Sequence, residues 1–186
     1  MSKPVKICLI RPAIVVPASN AITIFTPPLG LAYIAGSLRA ANFEVQMIDA
    51  VGESLDSRYP YSNDCYIHGL SQEKTVNKIN ADTEIIGIAL GFSFEWPTCR
   101  DLMNAVRKRF PNALLIGGGE HITAVPIQSL EDSAIDIGVL GEGEETAVEI
   151  ATAVAEDSFD PKKIPGIVFR DKTGDILINE RRPRRK

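Results

Sequence analysis

The 186-residue sequence has few of the residues that build metal and redox sites. Its cysteines are Cys8, Cys65 and Cys99, and its histidines are His68 and His121. No two cysteines have the Cys-x-x-Cys spacing of a zinc or redox motif. Two histidines are also too few for the usual zinc sites made only of protein ligands. We therefore expect no metal ion held by side chains of this chain.

The sequence also lacks a long hydrophobic run and a surplus of positive charge. No stretch approaches the roughly 20 apolar residues of a membrane-spanning helix, and residues 1–6 do not resemble a secretory signal. This predicts a cytoplasmic protein with no membrane partner. Five of the 20 basic residues lie in residues 181–186. The rest of the chain therefore has 15 basic and 24 acidic residues. An acidic body argues against nucleic-acid binding.

Two familiar phosphate-binding motifs are missing. The first predicted strand is followed by Arg11-Pro12-Ala13 instead of the Gly-x-Gly-x-x-Gly of a dinucleotide site. The Gly-x-x-x-x-Gly-Lys-Ser/Thr of a P-loop is absent as well. A flavin site remains open on grounds of fold, although no Ser/Thr-rich phosphate loop follows the first strand.

What the sequence does contain is a regular alternation of strand-like and helix-like segments. This pattern predicts an α/β fold with a doubly wound, five-stranded parallel sheet, flavodoxin-like in its strand order 2-1-3-4-5. Residues 11–27 and 53–70 show no clear period and are predicted to be irregular. The predicted strands are 5–10, 44–49, 84–90, 113–116 and 135–140, and the predicted helices are 29–41, 71–79, 97–110, 123–130 and 144–155.

The pattern changes after Pro161. Two β-rich runs, 164–170 and 175–179, flank the turn Asp171-Lys172-Thr173-Gly174, which predicts a C-terminal β-hairpin. We divide the chain into an α/β domain (1–160), a hairpin appendage (161–180) and a basic linker (181–186).

Three predicted strand ends contain glycine. The turns are Leu90–Ser93, Gly117–His121 and Gly141–Glu145. Glycine lets a ligand approach the main chain without a Cβ in the way. In open α/β sheets the ligand binds beyond the carboxyl ends of the strands. Several such turns on one edge predict a site for a broad ligand.

A series of short motifs runs in a fixed order from residue 26 to residue 183. They are Thr26–Ala35 (TPPLGLAYIA), Ile48-Asp49-Ala50, Gly69-Leu70-Ser71, Ile86-Gly87-Ile88, Gly117–His121 (GGGEH), Gly141–Glu144 (GEGE), Ile164-Pro165-Gly166-Ile167 and Arg181-Arg182-Pro183. In this order they resemble the cobalamin-binding domain of B12-dependent radical S-adenosylmethionine enzymes. The resemblance implies these cofactor-binding residues: Pro12, Pro28, Asp49, Gly52, Gly91, Ser93, Trp96, Gly117, Gly118, Gly119, Glu120, Gly141, Glu142 and Gly143.

The resemblance also implies the state of the cofactor and its partners. Cobalamin domains of the methionine-synthase type carry Asp-x-His-x-x-Gly after the first strand, and its histidine ligates cobalt; residues 11–28 contain no histidine. This implies base-off cobalamin without a lower ligand from the protein. A radical domain in the same full-length chain or another subunit would hold the [4Fe–4S] cluster and S-adenosylmethionine. That domain would act on a small-molecule substrate by methyl transfer or porphyrin-type ring chemistry.

Several residues keep a second interpretation. Asp49 is either a ligand contact or a turn residue, and Glu142 either contacts the ligand or only complements a helix dipole. Phe92, Phe94 and Trp96 either belong to the core or wall a groove. For the whole chain, the alternatives are a flavin- or nucleotide-binding module in electron transfer or sensing, and an interaction module without a ligand.

Overall fold

The computed structural model describes residues 4–19 and 26–183. Its main sheet has seven strands in the order β10-β9-β8-β7-β6-β1-β3. These strands are β1 (Lys6–Arg11), β3 (Glu44–Asp49), β6 (Ile85–Ala89), β7 (Leu114–Gly118), β8 (Ile137–Val139), β9 (Ile167–Arg170) and β10 (Ile176–Ile178).

Five of the seven strands are parallel. β1 pairs with β3 on one side and with β6 on the other, and β7 and β8 follow beyond β6. Numbered among the parallel strands alone, this order is 2-1-3-4-5. The predicted doubly wound, flavodoxin-like fold is confirmed.

Helices cover both faces of the sheet. Successive side chains along each strand point to opposite faces, so each strand contributes to two cores. Cys8 and Ile10 lie in one core, whereas Ile7 and Leu9 lie in the other. The first core takes apolar residues from α2 to α5, and the second takes them from α1 and α6. The helices are α1 (Leu29–Ala40), α2 (Gln72–Lys78), α3 (Trp96–Arg109), α4 (Glu120–Ala124), α5 (Pro126–Asp132) and α6 (Glu144–Ala155).

The prediction of one helix over 123–130 is wrong, because α4 and α5 divide that segment. Pro126 is the first residue of α5, and Val125 between the helices has φ −133° and ψ 60°. A proline disfavours helical backbone at the residue before it, so α4 has to end there.

The two segments predicted as irregular contain strands. β2 (Ile14–Pro17), β4 (Arg58–Ser62) and β5 (Cys65–His68) form a separate antiparallel sheet in the order β2-β5-β4. Pro17 and Pro60 lie in its two outer strands, where a missing N–H is tolerated. Residues 20–25 of the segment predicted as irregular, and the last three residues of the basic segment, lie outside the described residues.

The predicted C-terminal hairpin is present, and it extends the main sheet. β9 pairs antiparallel with β8, and β10 pairs antiparallel with β9. The side chains of Ile167, Val168 and Phe169 are buried. In the turn, Asp171 Oδ1 accepts the N–H groups of Thr173 and Asp175 at 2.8 and 3.0 Å.

The two buried thiols pack within the first core. Cys8 is fully buried, and 2% of Cys99 is exposed. Burial raises the pKa of both Cys8 and Cys99 to about 12. Among the described helices, none is both long and apolar enough to cross a membrane.

Candidate functional site

The carboxyl ends of the five parallel strands meet at one edge of the sheet, which we call the rim. It consists of the segments 11–13, 49–52, 90–96, 118–121 and 140–143, which follow β1, β3, β6, β7 and β8. Pro28 joins them as the residue that precedes α1. All the candidate residues from the sequence except Gly117 and Pro28 lie in these segments, and Gly117 lies within β7.

The turn after β7 is packed tightly against the turn after β6. Leu90 N–H donates to the Gly118 carbonyl at 2.7 Å. Gly119 has φ +117°, and a Cβ at this position would lie 2.1 Å from the Leu90 carbonyl oxygen. Gly117 is buried, and its Cβ would lie 3.1 Å from Ile135 Cδ1. Packing of the protein itself therefore accounts for Gly117 and Gly119.

The turn after β8 is open. Gly141 has φ +78°, and a Cβ there would meet no atom within 4 Å. Its N–H donates to Thr123 Oγ1 at 3.0 Å, which connects the turn to α4. Glu142 is exposed, and Gly143 directly precedes α6. Here the backbone itself is accessible.

The turn after β6 presents aromatic side chains to solvent. Phe92 and Phe94 are 64% and 59% exposed, and their rings stack with centroids 5.7 Å apart. The interpretation of these two rings as core residues is therefore wrong. Gly91 and Ser93 are exposed beside them, and a Cβ on Gly91 would meet no atom within 4 Å.

Trp96 is half-buried at the start of α3. Its ring stacks on His121 with centroids 4.5 Å apart, and its Nε1–H donates to Asp132 Oδ2 at 2.8 Å. Only 8% of His121 is exposed, and its Nδ1 has no hydrogen-bond partner among the described residues. Burial lowers the pKa of His121.

Beside this stack lies an open groove of about 470 Å³. Its volume is within the range of small-molecule pockets, roughly 300–1,000 Å³. The groove runs from Trp96 and His121 on the rim to residues of α5, including Asp132. Its lining residues are Trp96, His121, Val125, Gln128, Glu131 and Asp132.

The carboxylate of Asp49 is engaged by neighbouring groups of the protein. Its carboxylate accepts the N–H of Val51 at 3.2 Å and lies 3.4 Å from Arg11 Nη1. A Cβ on Gly52 would lie 2.6 Å from Asp49 Oδ2, so the carboxylate packs against this glycine. These contacts are those of a turn residue.

Sequence reasoning missed Arg11 and Glu95 as rim residues. Glu95 closes the short 3₁₀ turn Ser93–Glu95 and is only 7% exposed. No pattern in the sequence indicates this, because an acidic residue in a turn is ordinarily solvated. Arg11 directly follows an apolar run, and this position at a strand end was the one feature of the sequence that could have indicated a rim residue.

The described rim carries more acidic than basic groups. Asp49 is paired with Arg11, Glu95 is buried, and Glu120 and Glu142 are exposed. Arg11 is the sole lysine or arginine in the five rim segments. The rim therefore favours a ligand that brings hydrogen-bond donors over one that brings several negative charges.

The open α/β fold with a broad rim at the carboxyl ends of its strands defines the class of ligand-binding doubly wound domains. A family model described as the B12 binding domain matches residues 20–151, and the chain belongs to this family.

Similar proteins of known activity are much longer than this chain. The cytidylyl-2-hydroxyethylphosphonate methyltransferase of Streptomyces wedmorensis is 29% identical over 165 residues, which are 85% of this chain and 30% of that protein. The anaerobic magnesium-protoporphyrin IX monomethyl ester cyclase of Cereibacter sphaeroides is 28% identical over 157 residues, 82% of this chain and 23% of that protein. The chain thus spans less than a third of the length of these two relatives.

Solved structures share the fold. The radical S-adenosylmethionine methyltransferase TsrM from Kitasatospora setae, with cobalamin and a [4Fe–4S] cluster bound, matches with a TM-score of 0.68 and 20% identity, over 97% of this chain and 29% of that one. The cobalamin-dependent radical enzyme OxsB with aqua-cobalamin bound matches with a TM-score of 0.72 and 16% identity, over 97% and 23%.

Proposed function

We propose that this chain binds cobalamin at the rim and presents its cobalt to a radical S-adenosylmethionine domain. That domain belongs to the same full-length protein or to another subunit, and it acts on a small-molecule substrate. The observation that carries the proposal is the open backbone at Gly91 and Gly141 on the rim of a chain from the B12-binding family. The cytoplasmic location predicted from the sequence belongs to the same proposal.

The residues of the rim fit a large flat ring. Side chains at Gly91 and Gly141 would meet nothing within 4 Å, so these two turns leave room for a ligand to lie on the main chain. The exposed, stacked rings of Phe92 and Phe94 offer an apolar surface next to Gly91. The N–H groups and carboxylates of the rim suit the amide groups at the periphery of a corrin.

The proposed state of the cofactor is base-off, without a protein ligand on cobalt. His121 is the one histidine within the rim segments, and it is 92% buried in a stack with Trp96. A ligating imidazole would have to leave this stack. The cob(II)alamin form examined by EPR should therefore show no nitrogen splitting from a protein imidazole. A splitting that disappears in His121→Ala would contradict this.

When bound, cobalamin supplies a cobalt centre suited to methyl transfer or related radical chemistry. The residues of this chain bind and orient it. The [4Fe–4S] cluster and S-adenosylmethionine are assigned to a separate domain, because Cys8 and Cys99 are buried thiols with pKa values raised to about 12. Such thiols are poor ligands, since iron takes the thiolate.

A flavin- or nucleotide-binding module ranks second. An FMN phosphate carries close to two negative charges at neutral pH, and the rim segments offer Arg11 alone as a basic side chain. Arg11 is already held by Asp49 and by the Thr26 carbonyl. The rim therefore disfavours this ligand more than it disfavours an amide-bearing corrin with one phosphodiester.

Titration with hydroxocobalamin, followed by corrin absorption, tests the proposal. We expect saturable binding of cobalamin and none of FMN. Gly141→Gln should weaken binding about tenfold, a cost of about 1.4 kcal/mol. Gly174→Gln is the matched control, because Gly174 also has a positive φ (+95°) and open space but lies in the hairpin turn. Binding of FMN alone, or an equal loss in both variants, would refute the proposal.

A further inference from the structure

A group of charged side chains lies at the ends of β1 and β3 and in the turn after β6. Arg11 ends β1, and its partner in the sheet register is Asp49 at the end of β3. Arg11 Nη1 lies 3.4 Å from both carboxylate oxygens of Asp49 and donates to the Thr26 carbonyl at 2.9 Å. The side chains of Arg11 and Asp49 are only 17% and 25% exposed. One guanidinium thus holds the end of β3 and the segment that enters α1.

Glu95 brings a second carboxylate to the same place from the other neighbouring strand. It follows β6 and is 93% buried. Burial raises the pKa of Glu95 above its usual value, although the N–H of Val15, the positive charge of Arg11 and the N–H of Phe92 act in the opposite direction. These contacts connect the carboxylate to β2 and to the start of its own turn. Arg11 is therefore in direct contact with Asp49 after β3, and its positive charge also acts on the carboxylate of Glu95 after β6.

We infer that Arg11 is the positioning residue of the rim: its guanidinium holds the turns after β1, β3 and β6 in the arrangement that receives the corrin. This inference rests on the proposed function. The physical reason is charge balance in a poorly hydrated place. Removal of one partner from a buried ion pair leaves an uncompensated charge, which is strongly unfavourable. Without Arg11, Asp49 would lose its ion-pair partner, and Glu95 would lose the positive charge that lowers its pKa.

The other groups around Glu95 do not replace Arg11. Cys99 on α3 also lies near Glu95. Burial, together with the negative charge of Glu95, raises the pKa of the Cys99 thiol to about 12, so the thiol stays neutral. Residues 12–25 contain no charged side chain in the sequence. Arg11 is therefore the one charged residue between residues 11 and 25.

The test compares Arg11→Met with Arg39→Met in the full chain. Arg39 is a matched control, because it also donates to a main-chain carbonyl, that of Val45 at 3.1 Å, but it lies at the far end of α1. Amide hydrogen exchange is measured without cofactor. We expect Arg11→Met to speed exchange about tenfold in segments 13–17, 50–54 and 91–96, an opening cost lower by about 1.4 kcal/mol. Equal exchange in both variants would overturn the inference.

Rescue separates positioning from direct contact. In Arg11→Met, the Kd for hydroxocobalamin should rise about tenfold. Adding Glu95→Gln removes one of the two carboxylate charges and should recover at least half of that loss on a logarithmic scale. The absence of rescue, together with unchanged exchange, would mean that Arg11 contacts the ligand itself, and would overturn the inference.

Two further measurements test the inference if Arg11→Met does not fold or if its exchange is difficult to interpret. If Arg11→Met does not fold, Arg11→Lys, which keeps the charge but not the fork, should show intermediate exchange and affinity; wild-type values in Arg11→Lys would overturn the inference. Carbon-13 NMR of the Glu95 carboxyl should show its pKa rising further in Arg11→Met and not in Arg39→Met; an unmoved pKa would also overturn it. If the wild type binds no cobalamin, the proposed function fails, and the exchange experiment still decides the role of Arg11.

Discussion

The turns after β7 and β8 have similar sequences, Gly117-Gly118-Gly119-Glu120 and Gly141-Glu142-Gly143-Glu144, but they use their glycines differently. In the first turn packing accounts for Gly117 and Gly119, and a Cβ on Gly119 would collide with the Leu90 carbonyl. In the second turn, Gly141 has free space around it. The comparison teaches that a glycine pattern on a rim does not identify a ligand contact until its surroundings are known.

The largest effect should come from the turn after β7, which we call the closed turn because it packs against the Leu90 carbonyl. Gly119→Ala should lower the free energy of unfolding by roughly 3 kcal/mol, because it combines a positive φ with a backbone collision. Urea denaturation measures this. The matched control is Gly91→Ala, on the other side of the same contact, which should stay within about 0.5 kcal/mol of wild type because its Cβ has free space. Similar losses in the two variants would remove the distinction between closed and open turns.

The open turn should respond to backbone conformation alone. Gly141→Ala should cost about 1 kcal/mol, the penalty of a left-handed conformation for a residue with a Cβ. Gly141→Asn should cost less, because asparagine enters this region more readily. The same denaturation experiment applies. A loss in Gly141→Ala as large as that in Gly119→Ala would show that this turn is also closed.

The smallest effect should be a pH dependence located at the closed turn. Burial lowers the pKa of His121, so the unfolded chain takes up a proton at higher pH than the folded one. Stability should therefore fall as the pH drops through the unfolded value of about 6.5. We expect the free energy of unfolding to fall more in wild type than in His121→Gln between about pH 7.5 and about pH 5.5. Parallel curves for the two proteins would show that burial of His121 does not matter.

The sequence was sufficient for the parallel part of the fold. Apolar runs such as Ile85–Ala89 and helices such as Glu144–Ala155 alternate clearly, and the order 2-1-3-4-5 follows from a standard doubly wound arrangement. The small sheet was missed because its strands have four or five residues and include Pro17 and Pro60. The hairpin was found, but its pairing with β8 depends on contacts between distant segments that local patterns do not encode.

The sequence located the rim at the ends of the strands but did not indicate how the charged side chains of the rim are arranged. Strand ends can be read from the sequence, so the rim and its glycine turns were found. Burial of a single charged side chain cannot be read in this way, and Glu95 was missed for that reason. Asp49 was placed correctly on the rim, but only the structure shows that its carboxylate is held by Arg11 and Val51.

The antiparallel pairing of β9 with β8 has a consequence for synthesis on the ribosome. β8 emerges about 30 residues before β9, and until then its outer edge has no partner. A bare strand edge is a template for pairing with other chains. The nascent protein therefore passes through a stage in which the five parallel strands are complete and the outer edge of β8 is open to pairing with other chains. Residues 167–169 end that stage, so a ribosome that stalls before them leaves an aggregation-prone product.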